Sequence, residues 1–146
     1  MAMTWADLKA ELVDLGFEED SITSETEYGR LIRNSVNRAL DIIYNTVEKR
    51  IVDYYKVEES FGYDDDGTWV IPKPKSVTLD TEEDRRINVA DNVRPLVALL
   101  AGHYVWLDDD ITKATMYWNE YDQLKNEILS EALRPRKAQI IGGVGF

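Results

Sequence analysis

Three parts of this 146-residue chain carry residue types capable of chemistry: the single histidine, His103, two runs of aspartates, and a glycine-rich end. An imidazole can ligate a metal or act as a base, but a metal centre or a triad needs partners at fixed offsets. None is evident around His103, which sits in an apolar run and is read as structural. A calcium loop of the EF-hand type wants glycine at its sixth position and glutamate at its twelfth. Counted from Asp64 those positions hold Trp69 and Lys75, and counted from Asp108 they hold Lys113 and Asn119. Asp64-Asp65-Asp66-Gly67 therefore reads as a hairpin turn, and Asp108 to Asp110 as a helix cap. Gly142-Gly143-Val144-Gly145 lacks the lysine of a phosphate loop and opens no helix. With no cysteine in the chain there is no thiol nucleophile, thiolate ligand or disulfide. Carboxylates are abundant but none is flanked by a feature that suggests a cleft, so they read as a solvated surface. No catalytic, metal-binding or cofactor-binding residue is expected, and the chain reads as a non-enzyme.

Recognition is the chemistry that remains, and it concentrates at the C-terminal end. All 28 acids and 14 of the 17 bases precede residue 134, which leaves a body of charge −14 and a tail of +3. Arg134, Arg136 and Lys137 supply attraction to acidic surfaces, while Ile140, Ile141, Val144 and Phe146 supply apolar area that the tail alone cannot bury. A merely solvating terminus is normally poor in such residues, so 134 to 146 is read as an extended partner-binding arm.

The composition limits what the body can be. An apolar content of 44% in a chain of this length supports one core rather than two. The net charge of −11 disfavours general nucleic-acid binding, which needs phosphates neutralised by Lys and Arg, and equally disfavours an anionic membrane surface. No apolar run is long enough to span a bilayer, and Met1 to Asp7 lacks the features of a signal peptide, so a soluble protein is expected.

Four helices must position these features. Thr4 and Asp7 form a capping box, and Leu8, Leu12 and Leu15 follow at helical spacing; Gly16 ends the helix, Phe17 packs back on Leu12, and Trp5 anchors the start. A second capping box, Ser24 to Glu27, opens the longest helix. Its core stripe runs through Tyr28, Leu31, Ile32, Val36, Ala39, Leu40, Ile43, Val47 and Ile51. Arg30, Arg33, Asn34, Asn37, Arg38, Asp41, Asn45 and Lys49 form its polar face, for solvent or for a wet subunit interface.

The pattern changes between Val57 and Leu79, where two strands flank the Asp66-Gly67 turn, Pro72 and Pro74 stop them, and Val77-Thr78-Leu79 offers a third. Asp80 to Arg86 reads as a charged loop. The third helix begins near Asp91, tolerates Pro95 in its first turn, and is apolar on nearly all sides from Leu96 to Leu107, so it should be central. After the short aspartate turn, Ala114, Tyr117, Trp118, Tyr121, Leu124 and Ile128 define an antiparallel fourth helix that continues to Leu133 and stops at Pro135. The aromatic set Tyr104, Trp106, Tyr117, Trp118 and Tyr121 reads as core packing rather than a base-stacking platform. The expected fold is mainly α: a four-helix bundle-like body over 1–133, with a small β-hairpin insertion (about 57–79) between helices 2 and 3, and an extended C-terminal arm over 134–146.

This arrangement resembles the head-to-tail connector adaptors of tailed bacteriophages. The resemblance rests on Asp7-Leu-Lys-Ala-Glu-Leu-Val-Asp-Leu-Gly16, on Asn37-Arg38-Ala39-Leu40 in the long second helix, and on the hairpin Ala98 to Asp108 followed by Asp110 to Tyr121. The larger β excursion departs from the simplest members. The resemblance implies a structural virion protein at the head–tail neck, present in the host cytoplasm during assembly. It implies a ring, usually of twelve copies, that docks on the portal protein through its arm and meets a tail-side neck or tail protein. DNA would pass through the channel without specific binding, helped by an acidic lumen. From a different class, the net charge also suits an acidic DNA mimic that inhibits or regulates a nucleic-acid enzyme.

Overall fold

The structure, a computed structural model, describes residues 2–48, 62–63, 69–70, 74–90 and 93–132. The architecture is mainly helical, as expected. Strand β1 (Ala2–Thr4) leads into α1 (Trp5–Asp14), the single-turn α2 (Glu19–Ile22) and the long α3 (Glu27–Ile43). A π-helical turn (Tyr44–Glu48) follows directly. Strands β2 (Gly62–Tyr63) and β3 (Trp69–Val70) form a small antiparallel hairpin, with Tyr63 opposite Trp69, and β4 (Arg86–Ala90) then leads to α4 (Arg94–Trp106) and α5 (Ile111–Ala132).

The start of α1 follows from its residues. Thr4 Oγ1 accepts from the Asp7 amide (3.2 Å) and Asp7 Oδ2 accepts from the Thr4 amide (3.0 Å), which satisfies two amides that have no intrahelical acceptor. The Thr4 amide and hydroxyl, with Arg94 and Arg86 nearby, hold the Asp7 carboxyl below the usual carboxylate range despite some desolvation. The exit is a full Schellman motif: Phe17 N–H donates to Leu12 O (3.1 Å) and Gly16 N–H to Val13 O (2.9 Å), with Gly16 in the left-handed region at φ 110°.

Helix α4 is the centre of the body, packing against α1, α3 and α5. Its residues from Leu96 to Gly102 are all buried, and burying a leucine such as Leu96 or Leu100 stabilises by roughly 2 kcal/mol. At Gly102 the absent side chain lets the Tyr117 ring of α5 lie against the helix: an added Cβ would stand 3.3 Å from it.

Several expectations need correction. The cap of α3 is Thr26, whose Oγ1 accepts from Gly29 N–H (3.1 Å); Ser24 instead pairs its hydroxyl with Thr26 Oγ1 and with Ser21 O. The intervening helical turn α2 moves the cap two residues along the chain. Tyr28 and Leu31, assigned to the core stripe, are exposed, whereas Arg33 and Asn37, assigned to the polar face, point inward. Arg33 is only 7% exposed and donates from Nη1 to Ile22 O (2.9 Å) and Ser24 O (2.6 Å), satisfying carbonyls at the end of α2. Asn37 holds Val77 in place, so Val77-Thr78-Leu79 is a pinned loop and not a third strand.

The charged loop ends at β4, which begins at Arg86, and the α-helical part of α4 begins at Arg94; Asp91, near which the helix was expected to begin, lies outside the described residues. β4 pairs antiparallel with β1, with Ala2 opposite Ala90 and Thr4 opposite Arg86 across an irregular register. This second small sheet had no counterpart in the sequence reading. The turn residues 64–68, Ile51 and the whole arm lie outside the described residues.

Candidate interaction surface

The arm residues Arg134, Arg136, Lys137, Ile140, Ile141, Val144 and Phe146 lie outside the described residues, so the functional surface must be sought on the body. His103 is where α4 and α5 meet. Its Nδ1 lies 2.8 Å from Ala114 O; a carbonyl oxygen can only accept, so Nδ1 carries the proton, and in the neutral ring Nε2 is left as the acceptor. The imidazole thus ties the central helix to the first turn of α5.

Around it is an aromatic shelf. His103 meets Tyr104 edge-on with ring centres 5.0 Å apart and lies 5.2 Å from Trp118, which in turn lies 5.4 Å from Tyr121. The Arg38 guanidinium of α3 sits 3.9 Å from the Tyr104 ring centre, a cation–π contact that braces the shelf from the side. His103, Tyr104, Thr115 and Trp118 line an open hollow between α4 and α5.

The aromatic set therefore divides, and only part of it is core. Tyr117 and Tyr121 are buried, which pushes both phenols up; Glu120 and Tyr28 add to the effect at Tyr117, while a Thr46 hydrogen bond offsets part of it at Tyr121. Trp118 is 39% exposed and Ile111 63%, and with Leu107 they place three large exposed apolar side chains near the α4–α5 turn, while Met116, 51% exposed, lies on another side of α5. The spacing carried this signal: Ile111, Thr115 and Trp118 fall at i, i+4 and i+7, a second stripe beside the buried Ala114–Tyr117–Tyr121 one.

On the outer side of α5 the i±4 ridge runs obliquely through Glu131, Glu127, Gln123, Asn119, Thr115 and Ile111, all exposed. Beside it, toward Ala132, a shallow hollow is lined by Gln123, Asn126, Glu127, Ser130 and Glu131. Moving away from Ala132, this surface changes from acidic to apolar and ends on the shelf.

A second charged site lies on α1. Lys9 is almost fully buried, with its ammonium 2.5 Å from Glu83 and 3.9 Å from Glu19. Its hydrogen bond to Glu83, and its charge, hold that carboxyl below the usual range. Arg94 similarly ties α4 to α1 through Glu11 (3.3 Å) and Asp7 (3.9 Å).

Chemically, the shelf can stack on, and bury, apolar or guanidinium groups. Among the described residues no group of three or more His, Cys, Asp or Glu is placed to hold a metal ion, and no helix is long and apolar enough to cross a membrane. The chain matches no protein-family model, no curated protein and no solved structure.

Proposed function

We propose that this protein is a non-enzymatic assembly adaptor that forms a ring and links the portal of a tailed-phage head to the tail, with its C-terminal arm docking on the portal. The observation that carries the reading is the concentration of exposed Leu107, Ile111 and Trp118 toward one end of the α4–α5 hairpin, on an otherwise acid-rich body. Clustered apolar area on a charged surface marks a protein contact. A contact between two different faces of one molecule, repeated by rotation, closes into a ring. An acidic ring interior would let DNA slide through without holding it.

Electron microscopy and analytical ultracentrifugation of the full chain, alone and mixed with purified portal rings, test this directly. Closed rings, or portals decorated by this protein, are expected. A species that stays monomeric in both mixtures and instead competes with DNA for a basic enzyme would replace the adaptor with the DNA-mimic reading.

A further inference from the structure

The outer surface of α5 and the segment that follows it change character in the same order. Next to Ala132 the surface carries Glu131 and Glu127, and further along the neutral Gln123 and Asn119; beyond these come Thr115, Trp118 and Ile111. The following segment carries Arg134, Arg136 and Lys137 first, and then Ile140, Ile141, Val144 and Phe146. Laid antiparallel on the helix, bases meet acids and apolar side chains meet the shelf.

The lengths agree as well. From Ala132 back to Trp118 is about 21 Å along the helix axis, and back to Ile111 about 32 Å, at roughly 1.5 Å per residue. An extended chain at about 3.3 Å per residue covers roughly 26 Å from Ala132 to Ile140 and roughly 46 Å to Phe146. The apolar part of the segment thus spans the shelf, with length to spare for a reversal. Pro135 cannot continue a hydrogen-bonded helix, and Gly142, Gly143 and Gly145 give the chain freedom to follow an oblique surface.

We propose that residues 134 to 146 fold back along this oblique surface of their own α5, so that Ile140, Ile141, Val144 and Phe146 cover Trp118 of the shelf and the neighbouring Thr115 and Ile111. The segment and the shelf then protect each other from water in the free protein. Any partner that takes the arm also uncovers the shelf. This inference concerns the isolated chain and stands whether or not the partner is a portal.

The absence of native cysteine makes disulfide trapping a clean test. In the full chain, Thr115→Cys with Val144→Cys should close an intramolecular disulfide at least about tenfold faster than the control pair Ala10→Cys with Val144→Cys, whose first position is exposed on α1. The rate should not change on dilution, and Glu127→Lys with Glu131→Lys should slow it. Equal rates in the two pairs, or disulfide-linked dimers that vanish on dilution, would overturn the proposal. The unsubstituted chain provides an independent check by NMR: NOEs between the Ile140 or Ile141 methyls and the Trp118 indole are expected, and their absence in the monomer also overturns it.

Discussion

Asn37 and Val77 exchange two hydrogen bonds, Asn37 Nδ2 donating to Val77 O (2.9 Å) and Val77 N–H donating to Asn37 Oδ1 (2.7 Å). One side-chain amide thus serves a loop residue as a neighbouring strand would. It fixes the buried Val77 against α3, although no ladder reaches it.

Asn37→Ala should therefore destabilise the protein by about 1–3 kcal/mol, because it leaves a donor and an acceptor of Val77 unpaired in a partly buried place. Urea unfolding would show a lower midpoint with an unchanged slope. A midpoint equal to that of the parent would mean that water replaces the amide without loss.

Arg33→Met should cost about 3 kcal/mol or more, since the guanidinium donates to the Ile22 and Ser24 carbonyls while its own stem is buried. Arg33→Lys should recover little of this. Both bonds leave one terminal nitrogen, Nη1, and the shorter lysine side chain would have to bring a more strongly hydrated ammonium into this buried place. Thermal melts of the two variants side by side decide the point.

Gly29→Ala reverses the usual sign. In most helix interiors this change stabilises by up to about 1 kcal/mol. Here the new Cβ would stand 2.7 Å from Ser21 O and closer still to Ser24, both of which the α2 turn holds in place, so a loss of about 1–3 kcal/mol is expected. Gly16→Ala should also destabilise, by roughly 1 kcal/mol, for a different reason: space is open there, but φ is +110°. Melting temperatures of both, with Ala10→Gly as an ordinary helix control, separate the two causes.

Asp7 makes stability depend on pH. Its folded-state carboxyl lies below the ordinary 3.8, chiefly because it accepts from the Thr4 backbone. The stability it contributes is complete above the unfolded value and is lost as pH falls through the lower folded one. Asp7→Asn should cost about 0.3–1 kcal/mol at neutral pH, the range for a charge at an exposed helix N-terminus. The difference from the parent should vanish in strong acid. Urea titrations at a series of pH values below neutrality measure it; a difference that persists in acid would assign the effect to something other than the charge.

The elements with local causes were readable from the chain. Thr4 with Asp7, Gly16 with Phe17 and the aspartates before Ile111 are signals contained within a few residues, and the structure realises each of them. The central place of α4 followed from its apolar character on all sides. What stayed hidden depends on partners far along the chain. β1 and β4 are short and flanked by charge, and only their mutual pairing makes either a strand. Arg33 and Asn37 look like surface residues until α2 and the Val77 loop supply carbonyls and an amide for them. Trp118 looked like core because its type is apolar; its place on a second stripe, two turns from Ile111, is what puts it in solvent.

The pairing of β1 with β4 bears on the order of events during synthesis. The first strand has no edge to join until Arg86–Ala90 has been made, and α1, which follows it, packs mainly on α4. During synthesis β1 and α1 must therefore wait for the later β4 and α4, with Leu8 and Leu12 still in water. Folding of this body is then a single late event, and a translational pause placed before α4 would lengthen the time during which the unfinished chain is open to proteases and to aggregation.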